Sequence, residues 1–167
     1  MKHRVAAAIA ATVLTVALGV IDVGPVGAEE SGTTEGCTPG YWKNHPESWL
    51  ETPTDTIPVY TPSTPLNTIS AGFDTYLPGF TFGAALEGGG GKGVTGAAQI
   101  LARAATAAWL DATVEIAFPY RRFQPGEGGV DSLHNLVTNA LASGDRATIL
   151  ALARTLDAAN NLGCPLN

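Results

Sequence analysis

The sequence predicts a small, mainly helical domain of about three longer helices, covered by an irregular N-terminal layer and closed by one disulfide. Its 167 residues are 45% hydrophobic and 14% charged, as expected for a single globular domain. Apolar residues recur at helical spacing in three stretches of the second half. The two cysteines, Cys37 and Cys164, lie toward opposite ends of the chain.

Residues 1–28 have the pattern of a secretory signal peptide. A basic start, Lys2-His3-Arg4, precedes an apolar run from Val5 to Val20, and Val26-Gly27-Ala28 has the small residues of a cleavage site. An uncleaved membrane anchor is the alternative. The run is alanine-rich and shorter than the roughly 20 apolar residues that a spanning helix needs. We therefore expect a secreted, extracellular protein that is either free or associated with the cell envelope.

The charge of the mature chain excludes two classes of partner. Without residues 1–28 the chain keeps seven basic and 14 acidic side chains, a net charge of −7. An acidic surface repels phosphate backbones and anionic lipids. We expect no nucleic-acid partner, no membrane contact after cleavage, and a monomer.

The two cysteines predict one disulfide. Exported proteins meet an oxidising environment, and Cys37 and Cys164 are each other's only partner within the chain. For so long a loop the chain-entropy model gives a stabilisation of about 4 to 5 kcal/mol.

The ordered domain is expected to span residues 36–167, after a short disordered arm at residues 29–35, which are small and polar. Its opening segment, Gly36–Trp49, contains three aromatic rings, a lysine and a histidine. Pro39-Gly40 is typical of a turn. Asn44-His45-Pro46-Glu47 indicates the start of a short helix that carries Trp49 and Leu50.

The next segments are rich in proline and aromatic residues. Residues 52–70 hold four prolines among several threonines, which excludes a long helix. The stretch is either a glycosylated stalk or a segment that crosses the domain surface and buries a few apolar side chains. The aromatic cluster from Phe73 to Phe82 predicts either short strands or a turn of helix, with most rings in the core.

The glycine-rich run from Glu87 to Gly96 does not match a phosphate-binding loop. The Walker pattern needs a glycine five residues before its Gly-Lys pair and a Ser or Thr after the lysine. Leu86 and Gly93 occupy those positions. The run instead predicts a flexible lead into a helix capped near Thr95.

The first long helix is predicted over Thr95–Thr113. Gln99, Arg103 and Thr106 are expected on its outer face. Its inner stripe is predicted to contain Ile100, Leu101, Ala104, Ala105, Ala108, Trp109 and Ala112. Asp111 falls at the edge of the stripe, so its carboxylate needs a partner, either Lys43 or a backbone amide of the opening segment.

Two further helices follow a loop at residues 114–129. One spans about Asp131–Ser143 with Asp131 or Ser132 as its cap, and the other runs from a cap at Asp145 to about Asn160. Their short connection predicts antiparallel neighbours. Asn160 continues the apolar spacing, so we expect a buried amide that is hydrogen-bonded to loop backbone.

Three motifs in order resemble an uncharacterised family of secreted bacterial proteins with a Gly-Tyr-Trp-Lys opening and an Asn-Asn-x-Gly-Cys-Pro-Leu end. They are Cys37-Thr38-Pro39-Gly40-Tyr41-Trp42-Lys43-Asn44-His45, the glycines from Gly88 that lead into Gly96-Ala97-Ala98-Gln99-Ile100-Leu101, and Leu156-Asp157-Ala158-Ala159-Asn160-Asn161-Leu162-Gly163-Cys164-Pro165-Leu166. The resemblance implies export and transfers no activity. The family tends to have Leu-Leu-Asn-Ala where this chain has Trp109-Leu110-Asp111-Ala112.

The opening segment holds the candidate ligand-binding residues, which are Tyr41, Trp42, Lys43, Asn44, His45 and Trp49. Its rings can form a platform for a sugar or a peptide, with Lys43, Asn44 and His45 orienting the ligand. In the structural alternative, the two tryptophans plug the helix layer, and Lys43 and Asn44 satisfy buried backbone groups.

The sequence favours a binding function over catalysis. His45 and His134 lack the spacing of a metal site, and no cofactor motif or catalytic constellation is present, so we expect neither metal nor cofactor. We expect an exported, non-enzymatic interaction or cell-envelope module whose partner is an extracellular protein or polysaccharide. The alternative is an extracellular hydrolase that pairs His45 with a carboxylate from elsewhere in the chain.

The signal peptide predicts that the exported protein begins at Glu29, because Val26-Gly27-Ala28 offers small side chains to the peptidase. Intact-mass spectrometry of the protein from culture medium checks this. A membrane-bound product that retains Met1 would show that the segment is an anchor.

Overall fold

The computed structural model describes residues 35–50, 59–112 and 117–166. Within these ranges the chain is mainly helical, with three longer helices, no strand beyond isolated bridges, and the disulfide Cys37–Cys164, which confirms the predicted fold class. The α-helices are α1 Pro39–Asn44, α2 Phe73–Tyr76, α3 Phe82–Leu86, α4 Gly93–Asp111, α5 Leu133–Ala142 and α6 Arg146–Asn160. The 3₁₀ turns are Pro46–Ser48, Leu66–Thr68 and Glu127–Gly129. The predicted signal peptide and most of the arm lie outside the described residues.

Helix α4 is the centre of the domain. Among the described elements, all five other α-helices pack against it, so its buried surface is far wider than one stripe. Two predictions are therefore wrong: Thr106 is fully buried, and Ile100 is 37% exposed. The many alanines of α4 present little side-chain volume, which lets neighbouring helices approach closely.

Helix α6 runs parallel to α4. Arg146, at the start of α6, donates a hydrogen bond to the carbonyl of Gly93, at the start of α4 (2.5 Å). Near the other end, Asn160 Nδ2 donates to the carbonyl of Ala104 (2.9 Å). The predicted burial of Asn160 is confirmed. Its predicted loop partner is wrong, because the amide reaches the backbone of a helix.

The starts of the three long helices differ in how they are capped. Ser132 caps α5 and Asp145 caps α6, through side-chain oxygens that accept hydrogen bonds from Asn135 N and Thr148 N. Helix α4 begins at Gly93, two residues before the predicted start, and no side chain caps it. The hydroxyl of Thr148, followed by its backbone N–H, lowers the pKa of Asp145.

The opening segment folds differently from its prediction. Pro39 and Gly40 are the first residues of α1, and the Thr38 hydroxyl caps that helix by accepting from Tyr41 N (3.1 Å). The helix predicted at Pro46 is one 3₁₀ turn that ends before Trp49. Thr38 followed by Pro39 is a standard signal for the start of a helix. The Pro-Gly pair was instead interpreted as a turn because of Gly40.

The aromatic layer covers one side of α4. Phe73 and Phe82 are buried on α2 and α3, so this stretch forms helices rather than strands. Leu66 is buried, and the Tyr60 ring stacks on Phe82 with centroids 5.6 Å apart. These contacts fit a segment that crosses the surface over residues 59–70. Residues 51–58 lie outside the described ranges.

Gly96 is required by a close backbone approach at the start of α4. The glycine loop folds back so tightly that a Cβ on Gly96 would lie 2.3 Å from the carbonyl carbon and oxygen of Gly91. We expect Gly96→Ala to lower the free energy of unfolding by about 1 to 3 kcal/mol, because loop or helix must shift. Urea titration followed by circular dichroism measures the loss.

Gly40→Ala is the matched control for that substitution. Gly40 is also helical, but a Cβ there meets no atom closer than Thr38 Oγ1 at 3.6 Å. The change should be neutral or stabilising by about 0.5 to 1 kcal/mol, because alanine restricts the unfolded chain. Equal effects at the two sites would contradict the close approach.

Candidate ligand-binding site

Asp111 anchors the opening segment to the core. This fully buried residue at the end of α4 accepts two hydrogen bonds on Oδ1, one from the backbone N–H of Cys37 (2.8 Å) and one from the indole N–H of Trp42 (3.0 Å). A backbone amide of the opening segment was one of the two predicted partners. Lys43, the other, is not a partner, because its ammonium pairs with Glu87 (2.6 Å).

Burial decides the protonation of Asp111. Removal from water raises the pKa of its carboxyl well above the ordinary value of 3.8, and the hydrogen bonds from Cys37 and Trp42 only partly oppose that rise. Oδ2 has no hydrogen-bond partner among the described residues. A proton on Oδ2 leaves Oδ1 free to accept both bonds without a buried charge.

Both tryptophans of the opening segment belong to the core. Trp42 and Trp49 are buried, and the Trp49 indole donates to the carbonyl of Trp42 (2.9 Å). Neither ring can contact a ligand in this structure, so both leave the set of candidates. The structural alternative therefore applies to the two tryptophans.

Tyr41 and His45 are the two half-buried rings of the segment. Their rings stack with centroids 4.5 Å apart and an interplanar angle of 22°. The Tyr41 hydroxyl donates to the carbonyl of Leu166 (3.1 Å) and lies 3.3 Å from Ser48 Oγ. His45 Nδ1 lies 2.9 Å from Glu47 Oε1, an exposed ion pair when the ring is protonated.

Lys43 and Asn44 do not satisfy buried backbone. The Lys43–Glu87 pair is exposed and adds little stability. Asn44 Nδ2 donates to the carbonyl of Gly40 within its own helix (2.9 Å), also at the surface. That alternative is wrong for these two residues, and Asn44 keeps its carbonyl oxygen free for a ligand.

A pocket of about 370 Å³ lies beside the disulfide. The described residues that line it carry no Lys, Arg, Asp or Glu side chain. They are Gly36, Thr38, Gly40, Tyr41, Asn44, His45, Asn161, Gly163 and Cys164. The pocket therefore offers a ligand neutral donors and acceptors, next to two stacked rings.

The C-terminal part of this pocket was not predicted. Asn161 and Gly163 come from the other end of the chain, and they meet Thr38 only because the disulfide and an antiparallel bridge between Gly36 and Gly163 hold the ends together. Pairing Cys37 with Cys164 was the signal that could have placed Asn161 and Gly163 near the opening segment.

Catalytic and metal chemistry find little support at this surface. The carboxylate next to His45 is Glu47, two residues along, and not one from elsewhere in the chain. Its own backbone N–H, then the His45 ring, lowers the pKa of Glu47. Among the described residues no group of three or more His, Cys, Asp and Glu could hold a metal ion, and no helix is long and apolar enough to cross a membrane.

Comparisons of the chain with protein-family models, with curated proteins and with solved structures found no match.

Asp111→Asn tests the neutral anchor. Asparagine keeps the Oδ1 acceptor for Cys37 and Trp42 and never ionises, so this variant should be at least as stable as the wild type at pH 7. Asp111→Ala leaves two buried donors unpaired and should cost about 2 to 5 kcal/mol. Urea unfolding measures both variants.

The pH dependence gives an independent readout of the same anchor. Above about pH 4 an unfolded chain ionises Asp111 while the folded chain keeps the proton, so this residue's contribution to stability falls as pH rises toward the raised pKa. The stability of Asp111→Asn relative to wild type should therefore increase from pH 4 upward. A flat difference would show that the folded carboxyl is charged. An Asp111→Asn loss equal to that of Asp111→Ala would show that an amide cannot replace the carboxyl as the acceptor.

Proposed function

We propose that the protein is an exported, non-enzymatic interaction module of the cell envelope, and that its ligand contacts the pocket beside the disulfide. The observation that carries the proposal is the contrast within one short segment. Trp42 and Trp49 are buried and fixed, whereas Tyr41, Asn44 and His45 face the pocket. A rigid support reduces the entropy that a ligand must overcome on binding.

The chemistry of the pocket suits a polysaccharide. Asn44 and Asn161 each use Nδ2 in a hydrogen bond to helix backbone, which leaves their carbonyl oxygens as acceptors. Thr38 supplies a hydroxyl, and the stacked pair of Tyr41 and His45 supplies aromatic surface. Neutral acceptors and donors beside rings match the hydroxyl groups and C–H faces of a sugar.

Export is supported by the sequence and fits the disulfide. A bond that joins Cys37 to Cys164 persists in oxidising compartments, and the N-terminal pattern of residues 1–28 is that of a secreted protein. An extracellular polysaccharide or protein is then the partner available to the pocket. The acidic charge of the chain disfavours nucleic acid.

One observation favours the hydrolase alternative. The hydrogen bond between His45 and Glu47 is the arrangement that orients a general base. Glu47 is well exposed, however, and the Ser48 hydroxyl contacts Tyr41 and not His45. Among the described residues no hydroxyl or thiol is hydrogen-bonded to His45 as a nucleophile would be, so the binding function is preferred.

We expect His45→Ala and Asn44→Ala to weaken retention of the purified protein on isolated cell-wall polysaccharide. A stacking ring contributes about 1 kcal/mol, so loss of the His45 ring should lower affinity roughly fivefold. Tyr41→Phe should retain most of the binding, because it keeps the ring. Cosedimentation over a range of polysaccharide concentrations gives the affinities.

Asn135→Ala is the matched control, since it removes an exposed amide from α5, away from the pocket. Trp42→Ala should lower the free energy of unfolding by about 3 to 5 kcal/mol. This variant therefore serves only as a reference for lost packing. Retention that ignores both His45 and Asn44 would place the ligand elsewhere. Release of reducing ends that disappears in His45→Ala would instead establish the hydrolase.

A further inference from the structure

We propose that a second pocket, between α4 and α6, binds a monoanionic sugar acid whose carboxylate lies between Arg103 and Arg154. This pocket has a volume of about 270 Å³. Helix α4 contributes Ile100, Arg103 and Ala104 to it, and α6 contributes Ala153, Arg154 and Asp157. The inference stands on this lining alone and does not depend on the function proposed for the pocket beside the disulfide.

The two arginines combine a lack of protein partners with a place in one pocket. Most basic side chains of the described chain are engaged: Lys43 with Glu87, Arg121 with two carbonyls, Arg122 with the Tyr60 hydroxyl and Arg146 with the Gly93 carbonyl. Within the same ranges Arg103 and Arg154 make no salt bridge or hydrogen bond, yet they line one pocket. Guanidinium groups bind carboxylates in a planar, bidentate geometry.

The net charge of the pocket selects a single negative charge. Two guanidinium groups and the Asp157 carboxylate sum to one positive charge, which a monoanion neutralises. An amino-acid zwitterion would leave that charge uncompensated. The protein as a whole is acidic, so a pocket with a net positive charge differs from the average charge of the chain.

The remaining lining favours a sugar over a bare oxyanion. Ile100, which is 37% exposed, and the small residues Ala104 and Ala153 give the pocket apolar surface against which the C–H face of a sugar can pack. Asp157 has an acceptor for the hydroxyl hydrogens that a sugar presents. Ligand pockets for drug-sized molecules exceed about 300 Å³, so this one suits a single sugar unit.

Each of the two pockets has a lining residue near the C-terminal end of α6. Asp157 lines the arginine pocket, Asn161 lines the pocket beside the disulfide, and Asn161 Nδ2 donates to the Asp157 carbonyl (2.6 Å). Residues four apart on a helix are neighbours on one face. Asp157 and Asn161 are therefore neighbours, so the same polysaccharide is a candidate ligand for both pockets.

The test is an NMR titration of the isotope-labelled protein with glucuronate and, in parallel, with glucose, at low ionic strength. Glucuronate should bind saturably and weakly, and shift amides of Arg103, Arg154 and their neighbours. Glucose should bind about tenfold more weakly or not at all, because it lacks the carboxylate. Added sodium chloride should weaken glucuronate binding, since the charges are exposed.

Arg103→Gln and Arg154→Gln should each weaken glucuronate binding about threefold or more. Lys92→Gln is the matched control. It removes the same charge just before α4 but does not line the pocket, so binding should not change. Retention of His45→Ala on polysaccharide is a separate measurement and tests only the pocket beside the disulfide. Failure of one proposal can therefore be told from failure of the other.

Several results would overturn the inference. Equal affinity for glucose and glucuronate would show that the carboxylate is not recognised. Unchanged binding in both arginine variants would show that the ligand does not bind at this pocket. If Lys92→Gln weakens glucuronate binding as much as the arginine variants do, the effect comes from the net charge of the protein and not from this pocket. Arginine-dependent binding of inorganic phosphate as tight as that of glucuronate would make it a bare oxyanion site, and tighter binding of glycine would make it a zwitterion site.

Discussion

One buried carboxyl group determines how the N-terminal layer joins the helices. Asp111 Oδ1 receives the backbone N–H of Cys37 and the indole of Trp42, and the carbonyl of Trp42 in turn receives the indole of Trp49. The disulfide then ties Cys37 to the segment after α6. Each of these donors is buried, so none of them has water as a replacement partner. This one acceptor therefore holds α1 against α4, and the disulfide adds the closure of the chain ends.

The same arrangement explains why an acid is tolerated there. The carboxyl group needs to accept two bonds and needs no charge, and burial raises its pKa, which favours the protonated form. We expect an amide to serve as well, because its oxygen also accepts hydrogen bonds and it never ionises. Asp111 is thus a structural hydrogen-bond acceptor. The strongest pKa shift among the described residues therefore lies in the core and not at the candidate binding surface.

The sequence was a good guide where one local rule decides the outcome. Helical spacing located α4, α5 and α6, the cap at Asp145 was evident, and the cysteines had one possible pairing within the chain. It failed where the answer depends on what packs outside an element. Thr106 is buried and Ile100 is exposed because α4 is surrounded unevenly, and no periodicity within α4 contains that information. The arginine pocket also escaped prediction, because Arg103 and Arg154 converge only through the parallel packing of α4 and α6.

The junction of the chain ends has a mechanical consequence. Residues 36 and 163 are bridged, and the cysteines that follow Gly36 and Gly163 are covalently joined, with Cα atoms 4.4 Å apart. A force that pulls on the chain before Gly36 and after Cys164 passes directly through the sulfur–sulfur bond. The helices between them lie outside the load path and carry no tension. A chain pulled at these two points would keep its helices folded under load until that covalent link is reduced.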